Sequence, residues 1–167
     1  PVSFGENWYS KVYAGHSFIR ALIIKHNISL RSVQKIIRLI EVYRSLTEHD
    51  CFVEECYPGY TLIVVMSLFI SVVDKNMSQN VMNNIIEIDA ISKFMQTDEF
   101  RINDIAETVL EMVKLGDRFR VDRNSIDFDE KIEKCRIAWG RFYYGDRGEI
   151  DARNKFIDAV SLLNLHG

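Results

Sequence analysis

Ser29, Arg31, Gln34, Lys35 and Arg38 are the residues whose types and spacing suit chemistry, and that chemistry is anion recognition. They lie in Asn27-Ile28-Ser29-Leu30-Arg31-Ser32-Val33-Gln34-Lys35-Ile36-Ile37-Arg38, which reads as a capped helix start. The Ser29 hydroxyl can accept an amide hydrogen bond from the first turn, and apolar residues recur behind it with helical period. The positive end of a helix dipole favours acids in that turn, so Arg31 is out of place unless an anion lies opposite it. Spacings of four and three stack Arg31, Lys35 and Arg38 along one side of the helix.

Other chemistry is incomplete along the chain. His16, His26, His49 and His166 have no neighbours that mark a nucleophilic triad, and His16 reads as a packed or half-exposed side chain. Cys51, Cys56 and Cys135 are an odd number without zinc-type spacing, which reads as reduced structural thiols in a cytoplasmic protein. Glu54-Glu55 and Asp127-Phe128-Asp129-Glu130 cluster carboxylates without calcium-loop spacing, and the second cluster suits a helix start. Arg136, Trp139, Arg141, Phe142, Tyr143, Tyr144 and Arg147 interleave bases with aromatics, a mixture that stacks on single strands or forms a core stripe edged by arginines. No glycine-rich phosphate loop precedes a Lys-Ser/Thr pair. We therefore expect no enzyme, no metal site and no cofactor in this chain.

These residues need a helical scaffold, and the composition supports one. Hydrophobic residues at 47% and charged residues at 27% describe a globular chain rather than a disordered one. Only two prolines and eight glycines interrupt it, which favours long helices. Residues 1–49 hold seven Lys/Arg against three Glu, a net of +4, leaving −7 for the rest of a chain whose total is −3. A basic end on an acidic body suits a phosphate-bearing partner, or is scatter on a solvated surface. The apolar run Tyr60 to Val73 has 14 residues, short of a membrane span, and we expect no signal peptide, since Trp8, Tyr9 and Tyr13 interrupt any apolar region near the start.

Periodicity predicts an all-α bundle of about seven helices around a central hydrophobic one at about 60–74. Glu6 to His26 forms a first helix with Trp8, Val12, Phe18, Leu22 and Ile23 inward, and Asn27 stops it in a left-handed conformation. From Ser29 a second helix places Val33, Ile36, Ile37, Ile40 and Tyr43 on its buried face. Tyr57-Pro58-Gly59 reads as a turn before the central helix, for which a strand is the rival on propensity alone. Ser78 is expected to cap a fourth helix that carries Val81, Ile85, Ile88, Ile91 and Met95 inward. A fifth follows from about Asn103 to Leu115, stopped by Gly116. Two more, about Phe128 to Tyr144 and Glu149 to Leu163, flank the Gly145-to-Gly148 turn. The expected organisation is a core domain over 1–116, a connector over 117–127, and a helical hairpin over 128–167 packed on the core.

The segment from Phe18 to about Ile86 resembles the C-terminal helical region of KAP-type, AAA-related P-loop NTPases, found among phage-exclusion and membrane-associated proteins. The residues Asn27 to Ile36 look like that family's Ser-Leu-Arg helix opening, and Tyr57-Pro58 with the apolar helix Leu62 to Val73 and Asp74-Lys75-Asn76 follow in the family's order. The resemblance implies a lid or regulatory domain in which Arg31 senses the γ-phosphate of ATP and Ser29 caps its helix. This chain has no P-loop, so ATP and Mg would enter only through a P-loop NTPase core in cis or trans. Two other readings stay open. One is a helix-turn-helix across His26-Asn27-Ile28 presenting Arg31, Gln34, Lys35 and Arg38 to nucleic acid. The other is a helical protein–protein adaptor without ligand chemistry.

Overall fold

The computed structural model describes residues 9–47, 58–98, 100–115 and 152–166. Among these residues there are seven helices and no strand, as the periodicity predicts: α1 (Tyr9–Lys25), α2 (Leu30–Leu46), α3 (Pro58–Val73), α4 (Lys75–Met82), α5 (Ile88–Met95), α6 (Phe100–Leu115) and α7 (Ala152–His166). Several expectations fall outside the described residues: Trp8, Cys51, Cys56, His49, Tyr57, Gly116, Cys135, both carboxylate clusters, the 117–127 connector, the 128–144 helix with its aromatic-basic mixture, and the Gly145–Gly148 turn.

Every residue of α3 from Tyr60 to Ser71 is buried, and α1, α2, α4, α6 and α7 all pack on it. A helix that is apolar all round escapes water only when other elements enclose it. Its β-branched residues tolerate the helix because enclosure outweighs their modest propensity penalty. Ser67 meets the demand for buried hydrogen bonding locally, donating from Oγ to the Ile63 carbonyl at 2.8 Å. Pro58 and Gly59 are not a turn ahead of this helix, as expected, but its first two residues. Proline suits that position, since its missing N–H would have had no partner in the helix anyway.

α1 ends as its sequence requires. Asn27 adopts φ 46°, its N–H donates to the Ile24 carbonyl at 3.1 Å, and the Ile28 N–H reaches the Ile23 carbonyl at 3.1 Å. These are the paired bonds of a Schellman stop, and Ile23 and Ile28 both rest half-buried against the core beside it. Ser29 then caps α2, accepting from the Ser32 N–H at 3.2 Å.

The expected fourth helix is instead two, and Ser78 is not its cap. Asp74 caps α4 by accepting the Met77 N–H at 2.9 Å, one residue after α3 ends. An aspartate carboxylate available one turn earlier starts the helix there. Ser78 sits inside α4, buried, where its hydroxyl accepts from Asn164 Nδ2 of α7 at 2.6 Å. Asn84 at φ 60° then stops α4, with the Ile85 N–H on the Asn80 carbonyl at 2.8 Å. Because the helix breaks here, Ile85 is 51% exposed rather than inward, while Val81, Ile91 and Met95 do enter the core.

α6 starts at Phe100, earlier than predicted. Asn103 anchors the preceding loop, its Oδ1 accepting from the Thr97 N–H at 2.8 Å and its Nδ2 donating to the Thr97 carbonyl at 2.7 Å. Val109, Met112 and Val113 are buried as expected. α7 runs past Leu163 to His166 and inserts Phe156, Val160 and Leu163 into the same core.

Candidate anion-docking face

α2 turns Ile36, Leu39 and Tyr43 into the core. At 100° per residue that line leaves Leu30, Gln34, Ile37 and Glu41 outward, with Arg31 and Arg38 beside them. Leu30 is 75% exposed and Ile37 51%, and Arg31, Gln34, Arg38 and Glu41 are all exposed. Lys35 is half-buried on the flank of the same basic side. Ile37 was expected inward and Leu39 was not; the structure reverses the two. Two apolar stripes satisfy the helical period in α2, and packing against α3 and α7 selects the one through Leu39.

Arg31, Lys35 and Arg38 make no ion pair among the described residues. The Ser29 hydroxyl is committed to the cap and lies 3.1 Å from the Ser32 hydroxyl, so its part is to start the helix that presents the cations. Arg44, seven residues beyond Ile37, is half-buried and its Nε has no hydrogen-bond acceptor among the described residues. The face is thus an exposed strip of cations and aliphatic side chains, not a pocket.

The connector into α2 has a second arrangement that the sequence did not announce. Lys25 Nζ donates to the Lys93 carbonyl at 2.6 Å, and His26 Nε2 donates to the Phe94 carbonyl at 3.0 Å. Both acceptors lie in the last turn of α5, where carbonyls lack partners within the helix and cations are favoured. Burial pushes the His26 pKa down, the Phe94 hydrogen bond opposes this, and the Lys25 charge adds to the lowering. Burial likewise lowers Lys25, with Asp98 opposing and Lys93 assisting. These two side chains fix where α2 begins relative to α5.

An open groove of about 200 Å³ between α5 and α6, lined by Ser92, Met95, Gln96, Asn103 and Leu110 among others, falls below the usual size of ligand sites. Among the described residues no group of His, Cys, Asp or Glu is placed to hold a metal, and no helix is long and apolar enough to cross a membrane. α1 and α2 pack on α3 more than on one another. Fold and face together define the class as an all-α helical bundle with a basic strip that has no ion pair among the described residues. No protein-family model, curated protein or solved structure matches the chain.

Proposed function

We propose that this chain is a non-catalytic helical docking domain whose α2 outer face engages an anionic surface of a protein partner. The observation that carries the reading is the pair of exposed guanidinium groups, Arg31 and Arg38, without a counter-ion among the described residues. Exposed ion pairs contribute only about 0–1 kcal/mol each, so the cations act through complementarity and orientation, with the partner excluding water around them. In the form that the KAP-type resemblance implies, the domain is a lid or regulatory part of a larger P-loop NTPase. Arg31 then faces a phosphate of ATP held by a core in cis or trans.

Anisotropy of labelled poly-glutamate at low salt tests the docking reading. Binding is expected, with at least about a tenfold loss in the Arg31→Glu, Arg38→Glu double variant. Absence of binding overturns the reading. Phosphate release from ATP by the isolated chain, abolished by Arg31→Ala, overturns its non-catalytic part.

A further inference from the structure

We infer that the partner lays an acidic amphipathic helix along the outer face of α2, a conclusion that rests on the docking reading and names its partner. The exposed face has two unlike edges. Leu30 and Ile37 occupy one, seven residues apart and largely in solvent. Arg31 and Arg38 occupy the other at the same spacing, with Gln34 and Glu41 between the edges. Arg44, seven residues beyond Ile37 and half-buried with its Nε enclosed, ends that apolar edge. Seven-residue spacing brings side chains back to one line on a helix, which is the register in which a second helix packs alongside.

The chemistry of the face selects among anionic partners. A second helix with apolar residues at heptad positions covers Leu30 and Ile37, while carboxylates on its flank meet Arg31 and Arg38. From Leu30 to Glu41 the face is roughly 17 Å long, about three turns of a partner helix. A nucleic-acid backbone would answer the arginines alone. It would leave Leu30 and Ile37 in water. Charge complementarity therefore points to an acidic partner, and the apolar edge to a helical one.

The test uses the full chain and two labelled peptides of about three heptads. One carries Leu at the a and d positions with Glu at e and g; the other has the same composition scrambled to destroy the apolar stripe. The heptad peptide is expected to bind at least about tenfold more tightly than the scrambled one. Leu30→Ser with Ile37→Ser should erase that preference, and Arg31→Glu with Arg38→Glu should remove binding of both peptides. Equal binding of the two peptides by the unaltered chain overturns the helical partner while leaving anionic docking intact. Binding of neither peptide overturns both. All four altered side chains are exposed, and the comparison of peptides on the unaltered chain decides even if a variant folds poorly.

Discussion

The His26 imidazole, one residue past the end of α1, donates from Nε2 to the Phe94 carbonyl of α5 at 3.0 Å while its ring stacks on the Phe94 ring, 4.3 Å between centroids. One side chain thereby supplies both a hydrogen bond and aromatic contact to the end of a helix 68 residues away. Only a protonated Nε2 can make this bond to a carbonyl, so Nδ1 carries no proton in the neutral ring.

Acid should loosen this junction. Burial holds the His26 pKa of the folded chain below its ordinary 6.5, so in acid the unfolded chain takes up a proton more readily than the folded one. Its contribution to stability is complete above 6.5 and declines as the pH falls below that value toward the folded-state pKa. Urea unfolding at about pH 7.5 and about pH 5.5 should show the loss, and His26→Gln should show a smaller one. His26→Ala should cost about 1–2 kcal/mol at neutral pH.

Arg153 of α7 clasps the stop of α4, with Nη2 at 2.8 Å and Nε at 3.0 Å from Asn84 Oδ1. Asn84→Ala loses this contact and also forces alanine into φ 60°, for a combined cost of about 1–3 kcal/mol. Asn84→Gly keeps the backbone comfortable and should cost less. Equal denaturation midpoints for the two variants would refute the backbone part of this account.

Asp74 takes the cap that the sequence pattern assigns to Ser78, and mutation separates the two residues. Asp74→Ala should cost about 0.5–2 kcal/mol as a lost cap, with Asp74→Asn much milder. Asn164→Ala should cost about 1–3 kcal/mol, because the buried Ser71 and Ser78 hydroxyls lose the amide that donates to them at 3.2 and 2.6 Å. Thermal melts of these variants compare them directly.

Lys155 should titrate far below an ordinary lysine. Burial pushes it down from 10.5 to about 8 against the opposing charge of Asp158, with its Nζ 5.9 Å from the centroid of the Tyr43 ring. Between about 8 and 10.5 the unfolded chain holds the proton more tightly, so stability should rise with pH across that window. A titration of the Lys155 side chain by NMR should find the midpoint near 8, and Lys155→Met should flatten the rise. A midpoint near 10.5 would contradict it.

Much of the helical pattern was legible because its signals are local. Asn27 tolerates a left-handed conformation and Ser29 carries a short-range acceptor, so the α1 stop and the α2 start follow from neighbouring atoms. The apolar run of α3 likewise demands enclosure wherever the partners come from. The signal for α4 is equally local. Asp74 and Asn83-Asn84 bracket a short helix, whereas the periodicity of Val81, Ile85 and Ile88 carries straight across the break.

The outer face of α2 was only half legible. Arg31, Lys35 and Arg38 share a side of α2 by spacing alone, but the exposure of Leu30 and Ile37 was hidden. Val33, Ile37 and Ile40 repeat with the same period as Ile36, Leu39 and Tyr43, and a single helix cannot choose between two such stripes. The caps that Lys25 and His26 place on α5 join residues 68 positions apart, and no pattern in the chain foretells them.

The sequence by itself determined the helical class, the Ser29 cap and the row of cations, since these depend on atoms within one or two turns. Tertiary structure decided which stripe of α2 is buried, that Ser78 meets Asn164, and that Ile37 stands in solvent beside Arg38. The physical reason is range. A cap or a turn is settled by its neighbours, but burial is settled by whichever helices surround α3, and only their packing sets the face of α2 left open to a partner.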